Sequence, residues 1–137
     1  MEFKRSIGNK RFSWANQKMN AIALMYKKIQ YALNGLRVGL TDQSFVLEIV
    51  VGIIMIPPLS FYFHAQPIFY ALLASYCILL VVELLNTAIE MICNKLTLEH
   101  DEQIKAIKDV ASAAVFIMIA LNGILLVILL QGFFSIA

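Results

Sequence analysis

Residues 68–93 read IFYALLASYCILLVVELLNTAIEMIC. The stretch is longer than the ~20 mostly apolar residues that carry a helix across a hydrocarbon core. Its second half nevertheless holds two carboxylates, Glu83 and Glu90, within the motif ELLNTAIE. At about 100° per residue, Glu83, Asn86, Glu90 and Asn94 fall inside an arc of roughly 80°, so one polar stripe runs down an otherwise apolar helix. An ionised carboxylate at the bilayer centre costs about 2.5–3.5 kcal/mol even on the gentler insertion scale. Two on one face therefore imply a buried or hydrated interior site. Helix-to-helix adhesion through Asn86 and Thr87 is the blander reading, but neutral groups would achieve it at lower cost than carboxylates.

The rest of the chain follows the same pattern. It has 137 residues, is 61% hydrophobic and has a mean hydropathy of +0.78, which is too apolar for an ordinary water-soluble domain of this size. Two further apolar stretches, 45–63 and 110–134, also offer about the ~20 residues a crossing needs, and no segment alternates with a period of two. Because lipid admits only helices or closed barrels, the expected fold is all-α, a membrane domain over residues 21–137 with three spans. Over residues 21–40, Ile22, Leu24, Met25, Ile29, Leu33, Leu36 and Leu40 recur at three- and four-residue steps, with Lys27, Lys28 and Arg37 between them. This is the pattern of an amphipathic helix lying in the membrane interface. Thr41 and Asp42 break it and offer a capping oxygen to the helix that follows. Pro57 and Pro58 predict a kink or an end within the first span, with irregular chain over 59–63.

Residues 1–20 are expected to form a basic tail without a cleaved signal peptide, leaving the first span to do the targeting. Lys4, Arg5, Lys10, Arg11, Lys18, Lys27, Lys28 and Arg37 all precede that span, the connection 62–67 has no Lys or Arg, and the connection 94–109 has Lys95, Lys105 and Lys108. The asymmetry predicts a cytosolic N-terminus and a periplasmic C-terminus in a bacterial inner membrane. Cys77 and Cys93 read as reduced packing thiols, and His64 as an exposed residue of the outer connection. No zinc-type cluster and no Walker or kinase glycine loop is present in the sequence.

With this topology, Asp42, Glu48, Glu90 and Asp109 and the cation of Lys108 stand at one depth, and Glu83 lies roughly 10 Å deeper than Glu90. Clustered carboxylates call for a counter-charge, and Mg²⁺ needs only one or two of them together with phosphate oxygens and water. Lys108 is suited to a phosphate, and Glu83 to accepting a proton from a lipid hydroxyl. Three helices of this length do not enclose a nucleotide and a lipid, so the pocket is expected between protomers.

These residues resemble the prokaryotic diacylglycerol kinase family. The match runs from about Tyr26 onward and is most specific in ELLNTAIE followed by KDVASAAV at 108–115. The resemblance implies a homotrimer with shared active sites, ATP as donor, Mg²⁺ as cofactor, diacylglycerol as substrate and no nucleic-acid partner. It implies Glu83 as catalytic base, with Asp42 and Glu90 as metal ligands, Asp42 standing where the family usually has Glu. It places Tyr31, Asp42, Glu90, Glu99, His100, Asp101, Lys108 and Asp109 on the nucleotide side, and Glu83, Asn86, Ser112 and Glu48 on the lipid side. The chain departs from the family at Asn94, where Asp is usual, at 104–107, where small residues are usual, and in its longer basic start. Undecaprenol kinases share the scaffold. A small ion-coupled transporter and a non-enzymatic assembly subunit are the readings from other classes, and phosphate transfer from labelled ATP separates them from a kinase.

Overall fold

The computed structural model describes residues 21–96 and 101–134, and every element in them is a helix. The expected tail over 1–20, and Glu99 and His100, lie outside the described residues. Four helices follow in order: α1 Ala21–Gly39, α2 Gln43–Phe63, α3 Pro67–Leu96 and α4 Glu102–Phe134. The last three each contain a window long and apolar enough to cross a membrane.

The chain divides into two compact units after Gly35. In the first, α1 is exposed along its length from Ala23, and its apolar residues Met25, Ile29 and Leu33 are left uncovered. The second unit holds the end of α1 and all three spans. Its entry turn is fixed by Thr41 N–H to Val38 O (3.0 Å), Asp42 N–H to Gly39 O (2.9 Å) and Thr41 Oγ1 to Val38 O (2.7 Å). Gly39 is needed for close approach: a Cβ there would collide with the Leu84 side chain and stand 3.3 Å from the Phe45 ring. The absence of a side chain at Gly39 thus lets the start of α2 sit against α3.

Helix boundaries differ from the sequence expectation in instructive ways. The interfacial helix ends at Gly39 rather than 40, and the spans lengthen from 45–63 to 43–63, from 68–93 to 67–96 and from 110–134 to 102–134. Caps, and not apolarity, set these ends. Asp42 has extended backbone (φ −85°, ψ 128°) and its Oδ1 accepts from Ser44 N–H (2.8 Å) and Phe45 N–H (3.2 Å), satisfying donors that the first turn cannot pair internally. Asp101 does the same for α4 through Gln103 N–H (2.8 Å) and Ile104 N–H (3.0 Å). Pro67 opens α3 at a position where its missing N–H matters least.

The expected irregular segment 59–63 is helical, because α2 runs through Pro57 and Pro58 to Phe63. The ladder closes beyond the prolines, with His64 N–H donating to Ser60 O at 3.2 Å. The turn is also held from outside: Phe63 packs with Phe69 and Leu129, and Leu59, Ile68 and Leu72 close around them. Spanning helices tolerate proline where neighbouring helices hold the turn, which is the case here. His64 is exposed, as expected, and both cysteines are free, Cys93 buried and Cys77 exposed.

On α4, the covered positions Ile104, Lys108, Ala111, Val115, Asn122 and Leu129 form one stripe at three-, four- and seven-residue steps. On α3, Ser75, Leu79, Glu83, Asn86, Thr87 and Cys93 are buried, so the covered face of that helix is its polar stripe. At about 1.5 Å per residue α3 and α4 are roughly 45 and 50 Å long, well beyond the ~30 Å hydrocarbon thickness. Both helices are therefore longer than a crossing needs, and they stay helical through Glu90, Asn94, Lys105 and Lys108.

Candidate active site

Glu83 is 2% exposed, the most deeply buried charged residue among those described. Its Oε2 is buried without a hydrogen-bond partner among the described residues. One turn on, Thr87 is also buried and its Oγ1 donates to the Glu83 carbonyl (3.1 Å), so it satisfies itself along the helix and leaves the carboxylate untouched. Asn86, 9% exposed, reaches Glu90 Oε1 with its Nδ2 at 3.4 Å, a long contact, and its Oδ1 is likewise unpaired. The inner part of the polar stripe, Glu83 and Asn86, is therefore buried yet incompletely satisfied, while Glu90 is half-buried and Asn94 exposed. An orphaned buried acceptor costs about 1–3 kcal/mol, and three of them, counting Glu48 Oε2, stand together here.

Two more carboxylates reach the same place. Glu83 lies close enough to Asp42 and Glu90 to feel their charge, and Glu48 close enough to feel that of Glu83. The geometry has a simple source. A three-residue connection makes α2 and α3 an antiparallel pair, so the start of α2 lies beside the end of α3, and Gly39 and Phe45 let them close up. Asp42 holds its place as a cap through Oδ1, and that capping leaves Oδ2 uncommitted to the helix start.

The donor set is all hard oxygen, which suits Mg²⁺ and not a soft metal. Among the described residues no three His, Cys, Asp or Glu side chains surround one point. Asp42 and Glu90 as a sparse pair still fit an ion whose remaining ligands are phosphate and water.

Lys108 is half-buried on the packed stripe of α4, and its Nζ donates to Asn94 Oδ1 at 2.6 Å across the α3–α4 seam. Because residue 94 is an amide and not a carboxylate, this bond orients the ammonium without neutralising it. Asp109 and Ser112 are exposed and sit about 160° and 100° around α4 from the buried Ala111 and Leu129 direction. They are not brought to the carboxylates of their own chain. Asp101 serves as the α4 cap, and Tyr31 is an exposed residue of α1 in the first unit.

Sequence reasoning missed Tyr76, whose Oη donates to the Glu48 carbonyl at 2.9 Å. It also missed Asn122, half-buried in the middle of α4, with Nδ2 donating to Met118 O (2.8 Å) and Oδ1 unpaired. Both line an apolar cavity of about 380 Å³ between α2, α3 and α4, with Glu48 at its wall and leucines such as Leu59 and Leu72 around it. A phenol in a span is a usable signal, since its hydroxyl must find an acceptor.

The profile of the prokaryotic diacylglycerol kinase family matches residues 30–130. A diacylglycerol kinase of Haemophilus influenzae is 27% identical over 108 residues, covering 78% of this chain and 92% of its own length. A diacylglycerol kinase of Pseudomonas aeruginosa is 29% identical over 103 residues, covering 74% of this chain and 84% of its own. Three apolar helices of spanning length, a carboxylate stripe and a match over most of the chain place this multi-pass membrane protein in the prokaryotic diacylglycerol kinase family.

Proposed function

We propose that the chain is a lipid kinase that moves the γ-phosphoryl group of ATP to the free hydroxyl of diacylglycerol, giving phosphatidic acid and ADP. The observation that carries this reading is Glu83: a buried carboxylate with an unpaired oxygen, near enough to feel the charge of Glu48, which stands at the wall of the apolar cavity. The reaction belongs at the cytosolic face of the inner membrane, with the N-terminus inside and the C-terminus in the periplasm, which the basic residues ahead of α2 support.

Glu83 accepts the proton of the lipid hydroxyl as its oxygen forms the new bond to the γ-phosphorus. The bond from that phosphorus to the bridging oxygen breaks, and ADP leaves with the electron pair. Asp42 and Glu90 would hold Mg²⁺, which would supply positive charge against the transferring phosphate. Lys108, held by Asn94 but not neutralised, presents its charge to the phosphates. Glu48, Asn86 and Ser112 line the lipid side, and Tyr31, Glu99, His100, Asp101 and Asp109 serve the nucleotide. Acyl chains lie along the apolar cavity. The assembly is a homotrimer with shared sites.

Transfer of labelled phosphate from ATP to diacylglycerol in mixed micelles tests the reading, with undecaprenol assayed in parallel. Both relatives carry the name diacylglycerol kinase, which favours the first lipid. Transfer to undecaprenol alone would reassign the substrate, and transfer to neither lipid by a folded preparation would end the kinase reading.

Two substitutions separate metal binding from structure. Glu90→Gln removes a charge from the ion, so the Mg²⁺ concentration for half-maximal activity should rise and excess Mg²⁺ should recover part of the rate. An unchanged titration would take Glu90 out of the metal shell. Asp42→Asn keeps a side chain that caps about as well as Asp, so the melting temperature in detergent should hold while activity falls. Equal loss of stability in Asp42→Asn and Asp42→Ala would make the residue a cap only.

A further inference from the structure

Tyr76 and Glu83 are seven residues apart on α3, about two turns along the same face. The Tyr76 hydroxyl has crossed to α2 and donates to the backbone carbonyl of Glu48 at 2.9 Å. In a helix that carbonyl is already the partner of the N–H four residues on, which belongs to Gly52. A carbonyl oxygen has a second lone pair, but in a spanning helix the side chain at that following position ordinarily screens it. Here Gly52 is buried and has none. A Cβ at Gly52 would collide with Tyr76 Oη and Cζ and stand 3.0 Å from Cε1. The glycine is thus a notch shaped to the phenol, and the ring is a peg that reaches the Glu48 carbonyl through it.

The consequence lies at the carboxylates. Helical side chains lean toward the N-terminus of their own helix, so Glu48 leans toward the Asp42 end of α2, where α3 brings Glu83 and Glu90. The Tyr76 peg is a hydrogen bond from α3 to α2, and it is anchored on the backbone of Glu48 itself. Packing alone leaves a helix some freedom to slide and rotate, whereas a directed bond to one carbonyl fixes both.

We propose that Tyr76, seated in the Gly52 notch, is a positioning residue that sets the height and rotation at which Glu48 stands against Glu83. The proposal rests on the lipid-kinase reading for its kinetic consequence and on the bond alone for its structural one.

Both parts are testable in the full-length protein in micelles. Glu48–Ile49 is the one Glu–Ile pair in the sequence, so labelling glutamate carbonyls with ¹³C and isoleucine nitrogens with ¹⁵N gives a single carbonyl–amide peak that reports on the Glu48 carbonyl. Tyr76→Phe keeps the ring in the notch and deletes the donor, and should move that carbonyl resonance upfield, as expected when a hydrogen bond is lost. An unmoved peak would overturn the bond. Tyr76→Phe should also lower kcat roughly five- to tenfold with the KM for ATP unchanged. Combined with Glu48→Asp, which keeps the charge, it should lower kcat less than about twofold further, since the residue it positions has already been displaced. Full additivity, or a fall confined to thermal stability, would reduce the peg to packing and overturn the positioning role. Gly52→Ala should reproduce the Tyr76→Phe kinetics, and Gly52→Ala with Tyr76→Phe should be no worse than either alone. Inactivity of the wild-type chain toward every lipid alcohol would instead overturn the kinase reading, and the positioning role with it. Loss confined to the variants would leave that reading standing.

Discussion

Glu83→Gln is expected to lower kcat by at least about 10²-fold, the scale of losing a positioned general base, while KM for lipid and ATP moves little. The substitution is nearly isosteric, and the site favours a clean result. Glu83 Oε2 makes no hydrogen bond among the described residues, so the amide orphans no protein partner of that oxygen. Replacing a buried, unpaired carboxylate by a neutral group also removes repulsion with Asp42 and Glu90. The variant should therefore be at least as stable in detergent as the wild type. Reduced activity with raised stability is the signature of a residue retained for chemistry at the expense of packing. Near wild-type turnover by a correctly assembled Glu83→Gln preparation would remove the base assignment. A large loss of stability would recast the stripe as helix adhesive.

The contrast between Glu83 and Asp42 marks how far the sequence can be read. The stripe on α3 was legible because it depends on one helix and one angle: Glu83, Asn86 and Glu90 share a face wherever that helix is placed. Span number was legible from run length, and the Asp42 cap from a polar break before an apolar run. The start of α4 was not read, because apolarity was followed to residue 110 while the helix answers to its cap at Asp101. The Asp-Glu pair at 101–102 was the available signal. The Tyr76–Gly52 peg was out of reach for a different reason. It pairs residues 24 apart on different helices, and which glycine faces which tyrosine depends on a register set by Gly39, the 64–66 connection and the Phe63–Leu129 contacts together. Depth places Asp109 beside the carboxylates and the family resemblance puts Ser112 on the lipid side, but depth is one coordinate and a resemblance carries no rotation. Rotation about α4, fixed by the buried Ala111, Val115 and Leu129, turns both away on their own chain.

That rotation gives the second large effect, in preparations that mix two inactive variants. Glu83 feels the charge of Asp42 and Glu90 of its own chain, and Glu48 that of Glu83, whereas Asp109 is exposed on the far side of α4. If Asp109 serves a nucleotide bound at the Glu83 of a neighbouring protomer in a cyclic trimer, Glu83→Gln and Asp109→Asn lie in one site but on different chains. Co-assembled in equal amounts at random, a site is intact when the protomer giving Glu83 is the Asp109→Asn variant and its neighbour is the Glu83→Gln variant. Each condition is met half the time, so about a quarter of sites and about a quarter of wild-type activity should return from two preparations that are inactive alone. The control follows from the same geometry. Glu83→Gln mixed with Asp42→Asn should recover nothing, because those two carboxylates meet on one chain, and no neighbour can supply one without the other. Recovery in both pairings would mean that Asp42 also crosses between protomers. With mixed assemblies demonstrated by cross-linking, recovery in neither would confine each site to a single chain and leave Asp109 outside it.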